Sequence, residues 1–321
     1  HVELAKRKGL FWDRKRGYGL ARLKDEDPDV EIHACAPCHS RRHLVSGEDR
    51  AGRPFLDDFM PATLREGLYH ADGQMLEEVY VYGSFLQSRM YAAGVVCSDC
   101  HQPHSLALRA EGNAMCATCH APEVFDVASH HHHQASTGTP ACVDCHMPSR
   151  DYMVIDGRRD HSFRVPRPEL ADELGVTDAC NACHADRPDG WSAAAVRQWL
   201  GRDAAGYQNF AVAFRAAETG QADAAQGLKQ LLASADQPAI VRATALRYLA
   251  DFPDRSGIEL AMDGLRDPDP LVRLGALDAL ALIQLVSEVR SDIKVIANDL
   301  LASLPPMRPL LLPIDNLNGK P

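Results

Sequence analysis

The chemistry of this chain is written in Cys-x-x-Cys-His, which occurs five times. The copies are Cys35-Ala36-Pro37-Cys38-His39, Cys97-Ser98-Asp99-Cys100-His101, Cys116-Ala117-Thr118-Cys119-His120, Cys142-Val143-Asp144-Cys145-His146 and Cys180-Asn181-Ala182-Cys183-His184. Together they consume all ten cysteines. The spacing meets a specific need. Two thiols form thioether bonds to the two vinyl groups of one porphyrin edge, and the His that follows lies under the iron as proximal ligand. Disulfides or Cys/His zinc sites would leave the strict His after every pair unexplained. The motifs therefore predict five covalently attached haems c, with iron on His39, His101, His120, His146 and His184.

A second axial ligand is needed for each iron in a low-spin haem. Ten histidines lie outside the motifs: His1, His33, His43, His70, His104, His130 to His133, and His161. His104 follows proximal His101 by three residues, and Pro103 turns it away from its own haem towards a neighbour. His161 lies in an extended, arginine-rich stretch that can thread between porphyrins, where Arg158, Arg159, Arg164 or Arg167 would pair with propionates. His70 lies at a break in a helical pattern. Of the run His130 to His133, one or two are expected to bind iron, with His131 and His133 the candidates. His33 is too near its own cysteines to reach a second iron, and His43 is left open. Met147 points the wrong way for the iron of His146. The prediction is bis-His ligation throughout.

The elements that position these residues divide into two kinds. Around the motifs the periodicity is poor, and short helical pieces are expected with no real sheet. Residues 62–92 are the longest helical candidate there, broken around Asp72-Gly73. Residues 151–168 read as extended. After Ala185 the character changes. Helices are expected over 191–200 and 207–219, and then a repeat follows. At an offset of 31, DQPAIVRATALRYL (236–249) aligns with DPDPLVRLGALDAL (267–280). Pro near a helix start, Val-Arg in the first turn and an Ala/Leu packing face resemble a HEAT-type repeat. Residues 206–234 and 286–303 are expected to act as partial repeats or caps. The Pro-rich tail from Leu304 is expected to be an extended strap. The fold class expected is mainly α: a pentahaem cytochrome c module with little regular structure over 1–190, a HEAT-like helical domain over 191–303, and the tail over 304–321.

Aromatic residues make up only 6% of the 321 residues, few for a core made of side chains alone, and porphyrins would supply the missing apolar surface. The formal net charge is −10. Residues 1–24 hold eight basic and two acidic side chains, a net +6, which leaves −16 on the remainder. The basic segment reads either as a solvated helix or as a docking segment for an acidic surface. Haem propionates add further negative charge, and such a surface repels nucleic acid. Thioether attachment takes place outside the cytoplasm, which predicts a periplasmic or extracellular protein. No apolar run approaches the roughly 20 residues of a membrane helix. The chain starts at His1 without a Met, as expected of a processed or trimmed product.

The stretches CSDCHQPHSLALRAEGNAMCATCH, HHHH…CVDCHMP, YMVIDGRRDHSFRVPRPEL and ACNACHAD together resemble multihaem c-type cytochromes that carry C-terminal HEAT or tetratricopeptide repeats. That family is distantly similar to pentahaem nitrite reductases and hydroxylamine oxidoreductases. The resemblance covers residues 1 to about 285, and family members are typically longer at both ends. It implies that the histidines of the GLYHADG, CHxPH, HHxH and RRDHSFR stretches are distal ligands. Three functions follow. The first is electron transfer through bis-His haems to redox protein partners or to copies of the same chain. The second is reduction or oxidation of a nitrogen or sulfur oxyanion, although the CxxCK motif of the nitrite reductases is absent and no motif marks a catalytic Tyr crosslink. The third is a repeat scaffold with haems as cargo. Electron transfer is favoured. The opposed charges of the two ends, and a His1 free to ligate iron in the next subunit, extend it to a head-to-tail filament, against which stands a monomeric shuttle.

Overall fold

A computed structural model describes residues 27–46, 53–105, 107–134, 138–202, 207–234 and 236–289, together with Leu23 and Ala204. His1, almost all of the basic segment and the Pro-rich tail lie outside the described residues. The chain divides into two units, one drawn from His1–Ala62 and Glu78–Arg164, the other from Thr63–Glu77 and Val165–Pro321. Among the described residues helix dominates both, and sheet is confined to two short antiparallel pairs.

The first unit contains four of the five motifs, each on or beside a short helix. Helix α1 (Asp29–His39) ends in the first motif. Helices α2 (Tyr82–Phe85) and α3 (Arg89–Ala92) follow, the latter capped by the Ser88 hydroxyl, which accepts from Tyr91 N–H at 3.0 Å. Then come α4 (Cys97–Cys100), α5 (Asn113–Cys116), α6 (Pro122–Phe125), α7 (Ala128–His131) and α8 (Cys142–His146). Strands β1 (Arg42–Leu44) and β2 (Phe59–Pro61) pair antiparallel, as do β3 (Ser149–Tyr152) and β4 (Asp156–Arg159). An aromatic cluster anchors the beginning of the unit. Phe55 stacks on Phe59 at 5.3 Å and meets Tyr82 edge-on at 5.1 Å. Beyond it the protein core stops: among the described residues from Asp99 to Asp151, none is buried.

The second unit is built in the ordinary way. Helix α9 (Pro168–Leu174) starts with Pro at its first position and ends at Gly175, whose φ of 66° closes the helix in the left-handed region. A 3₁₀ turn (Ala179–Ala182) carries the fifth motif. Helices α10 (Trp191–Leu200), α11 (Ala211–Glu218), α12 (Ala224–Ala233), α13 (Ala239–Leu249), α14 (Arg255–Gly264) and α15 (Pro270–Val289) follow. The repeated Val-Arg and Ala/Leu positions fall in α13 and α15. Phe210, Phe214, Leu228, Ile240, Val241, Leu246 and Ala276 are at most 1% exposed, and burial of each large one contributes roughly 1.5–3 kcal/mol. A Cβ built on Gly275 would meet the Ala243 carbonyl oxygen at 2.6 Å, so α13 and α15 touch backbone to backbone there.

Residues 63–77 do not form the first half of the expected helix. They form a turn: Gly73 N–H donates to His70 O at 2.8 Å and His70 N–H to Gln74 O at 2.8 Å. Gly67 and Gly73 take φ of 79° and 85°, which breaks the helical path. The apolar residues that mimic helical periodicity are buried, Leu64 at 0% and Tyr69 at 2% exposed.

Candidate haem centres

The local sequence fixes how each motif presents its ligands. In α8 the five residues of the fourth motif form one helical piece, so Cys142, Cys145 and His146 are set by helix geometry alone. Asp99 and Asp144, inside the second and fourth motifs, accept from the backbone N–H of Val96 and Ala141, each at 3.0 Å, and so cap their helices. Asp178 does the same for the fifth, accepting from Cys180 N–H at 2.9 Å.

The motifs are clasped in pairs. Glu31, on α1 with the first motif, is 4% exposed and accepts from Ser98 N–H at 2.6 Å and Ser98 Oγ at 2.8 Å at the start of the second. The Cys97 thiol donates to Cys35, which that bond holds below the ordinary thiol range while Cys97 is pushed well above it. The same construction recurs. Asn113, on α5 with the third motif, accepts from Cys142 N–H at 2.9 Å at the start of the fourth. Burial, the charge of Cys116 and a hydrogen bond with it push the Cys142 thiol up to about 11. Burial, Asp99 and Cys119 also push Cys100 up, so a cysteine of the third motif lies within electrostatic reach of one of the second. The attachment points thus follow one another in the order first, second, third, fourth.

The imidazoles pair as well. His101 and His161 have ring centroids 6.3 Å apart with planes 25° apart, and His130 and His146 have centroids 6.2 Å apart with planes 18° apart. Two metal–imidazole bonds of about 2 Å, plus half a ring on each side, give a centroid separation of about 6 Å. The spacing is that of two histidines facing one metal. Backbone carbonyls set the tautomers, since a carbonyl only accepts. His146 Nδ1–H donates to Arg164 O at 2.6 Å and His161 Nδ1–H to Arg159 O at 2.9 Å, which leaves Nε2 of each for iron. Partial desolvation, strongest at His161, together with neighbouring histidines holds His101, His130 and His161 below the ordinary imidazole range, towards the neutral form that binds metal.

These features fit covalent haem. None of the ten cysteines is joined in a disulfide, so every motif has both sulfurs for thioether bonds. Leu108, Val124 and Phe125 stand exposed at 42–54% in a segment without a core of its own, where a porphyrin face would cover them. Phe125 stands edge-on to both His120 and His130, at 5.5 and 5.4 Å, between the third and fourth centres.

The remaining candidates fall as follows. Within the run of four, the ring opposite His146 is that of His130, where the sequence singled out His131 and His133. Nδ1 of His131 accepts from His133 N–H at 3.1 Å, so its lone pair there is in use, whereas His133 donates from Nδ1 to His131 O at 2.5 Å. His104 is exposed, its Nδ1 3.4 Å from Gln102 Oε1. His70 is half-buried at the start of its turn, in the same unit as the fifth motif. His184 packs on Trp191 at 4.9 Å, and Arg187 covers that indole at 5.3 Å. His39 lies near both His101 and His161 and helps lower them.

Comparison with known proteins agrees with this reading. Residues 90–125 match the family model of the doubled CXXCH motif, and residues 225–297 match that of HEAT repeats. Together these support a multihaem c-type cytochrome with HEAT repeats. No curated protein matches. Among solved structures, the crystal structure of the outer cell wall cytochrome OcwA is similar at 16% identity and a TM-score of 0.40, over 84% of this chain and 67% of that one. No described helix is long and apolar enough to cross a membrane.

Proposed function

We propose that this chain is an electron-transfer protein outside the cytoplasm, with five covalently attached haems c. The observation that carries the reading is the pair of facing imidazoles, His101 with His161 and His130 with His146, each at the separation of a bis-His metal. When bound, haem supplies one-electron chemistry at iron. His101 with His161, and His130 with His146, would each hold such an iron from two sides with protein nitrogen, which would leave no exchangeable position for an oxyanion at those two centres. His39, His120 and His184 are the remaining proximal ligands, and His70 and His104 distal ligands, with His133 the second candidate of its run. The clasped motifs support a row in which the first four haems follow sequence order.

The exposure of His104 and the charge split between the basic first 24 residues and the rest support a further reading. Copies of the chain would join head to tail, with His1 ligating an iron of the neighbour. Ferric electron paramagnetic resonance tests the main reading. Only low-spin signals, unchanged by nitrite or hydroxylamine, are expected. A high-spin signal that responds to either compound would favour the oxyanion oxidoreductase instead. Mass in solution at high and low salt tests the filament, which monodisperse monomers under both conditions would exclude.

A further inference from the structure

The first repeat helix departs from its own repeat at two positions. At the offset of 31, Thr244 of α13 corresponds to Gly275 of α15, and Tyr248 to Ala279. Gly275 and Ala279 are small residues where α15 packs closely, Gly275 against Ala243 and Ala279 at 0% exposure. Thr244 and Tyr248 bring hydroxyls instead, and both are buried, at 0% and 7% exposure. A buried hydroxyl needs partners. Thr244 Oγ1 donates to Ile240 O at 2.7 Å and accepts from Leu64 N–H at 3.0 Å. Tyr248 Oη accepts from Glu66 N–H at 2.8 Å and donates to Glu218 at 3.1 Å. Both acceptor bonds go to the segment that leads into the His70 turn.

The other branch of the network leads to the fifth motif. Glu218 pairs with Arg215 at 3.2 Å, and Arg215 donates to Leu174 O at 2.6 Å, the last residue of α9. Six residues later comes Cys180. Gln74, at the far end of the His70 turn, closes the loop. Its amide donates to Asp72 at 2.9 Å and to Thr177 O at 2.8 Å, three residues before Cys180. The turn is therefore held at both ends, by α13 before His70 and by the approach to the fifth motif after it. Ala71, Asp72, Gln74 and Met75 are all buried, while His70 is only half-buried. A rigid turn with one histidine left partly uncovered, tied to the chain that carries a proximal histidine, is built to aim that histidine.

We propose that Thr244 and Tyr248 are positioning residues for the fifth haem: through Leu64 and Glu66 they fix the turn that presents His70 to the iron of His184. The repeat helix then belongs to the redox site rather than to a separate scaffold. The inference rests on the reading of His70 as distal ligand, and the test separates the two.

In the full-length holoprotein, His70→Ala is expected to keep every covalent haem and to convert one haem equivalent to a high-spin form that binds carbon monoxide when reduced. Tyr248→Phe and Thr244→Val are expected to give a partial version of the same change: a fractional high-spin signal from one haem and a shifted potential for that haem alone. Thr244→Ser restores the hydroxyl and should restore the spectrum. Combining His70→Ala with Tyr248→Phe should add nothing spectroscopically to His70→Ala. A His70→Ala protein with unaltered spectra would overturn the ligand reading and the positioning with it. A His70→Ala effect with unaltered spectra and potentials in both hydroxyl variants would overturn the positioning alone, even if those variants melt earlier. Should Thr244→Val fail to fold, Tyr248→Phe, which keeps the ring, decides by itself.

Discussion

Two stretches of similar size, Asp99–Asp151 and Ala211–Ala261, solve the problem of a core in opposite ways. In the second, α11, α12, α13 and α14 interleave large and small apolar side chains, with Phe214 between Phe210 at 5.0 Å and Tyr248 at 5.3 Å. In the first, no described side chain is buried, and order comes from one-turn helices, caps and a few long-range hydrogen bonds. Apolar burial is the dominant favourable term in folding, so the first stretch is not expected to fold on side chains alone. The contrast teaches that the stretch carrying the third and fourth motifs has no core encoded in side chains, the place that covalently held haem would fill.

The largest effect should come from withholding haem. A preparation with no haem attached is expected to lose protection from hydrogen exchange across Asp99–Asp151, while the amides of α11 to α15 stay protected and the helical circular dichroism of that part persists. Native-like protection of Asp99–Asp151 without haem would break the comparison at its base. A smaller effect should come from Glu31→Ala. It leaves the Ser98 N–H and hydroxyl without their buried acceptor, at a cost of about 1–3 kcal/mol. It should also loosen the first pair of motifs, which would read as a weaker exciton couplet in Soret circular dichroism. An unchanged couplet would mean that the thioether bonds hold the pair and that Glu31 is incidental.

What the sequence made legible follows the range of the interactions. Each Cys-x-x-Cys-His copy is complete within five residues, so the motifs could be found by spacing alone, and the doubled-motif family model matches two of them. The repeat was legible because Val241-Arg242 and Val272-Arg273 obey the same helix–helix packing. The choice of His130 over its neighbours was not. Each residue turns about 100° around a helix, so which of four consecutive histidines faces His146 depends on where α7 ends, and it ends because His132 takes a φ of 57°. Nor were the clasps: Glu31 reaches a partner 67 residues away and Asn113 one 29 away, and neither carries a local pattern. The turn at 63–77 was read as part of a helix because its buried residues are spaced like a helical face, although its backbone is tied to side chains of α13 instead.

The smallest effect sharpens the comparison from the helical side. Glu218 is the acid at the fork between Tyr248 and Arg215, and burial pushes its carboxyl above the ordinary range, against the opposing pull of Arg215 and the Tyr248 hydroxyl. A raised folded-state value means that the folded protein holds this proton after the unfolded chain has released it. Below the ordinary carboxylate range both states are protonated, and Glu218 contributes no pH dependence. As the pH rises through that range the unfolded chain ionises first, so stability falls until the folded-state value is passed, then levels off. Glu218→Gln removes the titration while keeping shape and the acceptor for Tyr248. Relative to wild type, the variant should therefore gain stability as the pH is raised from acid to neutral, measured by thermal melting of the helical signal at fixed ionic strength. The haem spectra should show no such difference for the four centres of the first unit. A difference of opposite slope would mean that the Arg215 pair outweighs burial, and that this polar fork stabilises the repeat helices as an ion pair rather than costing them a buried charge.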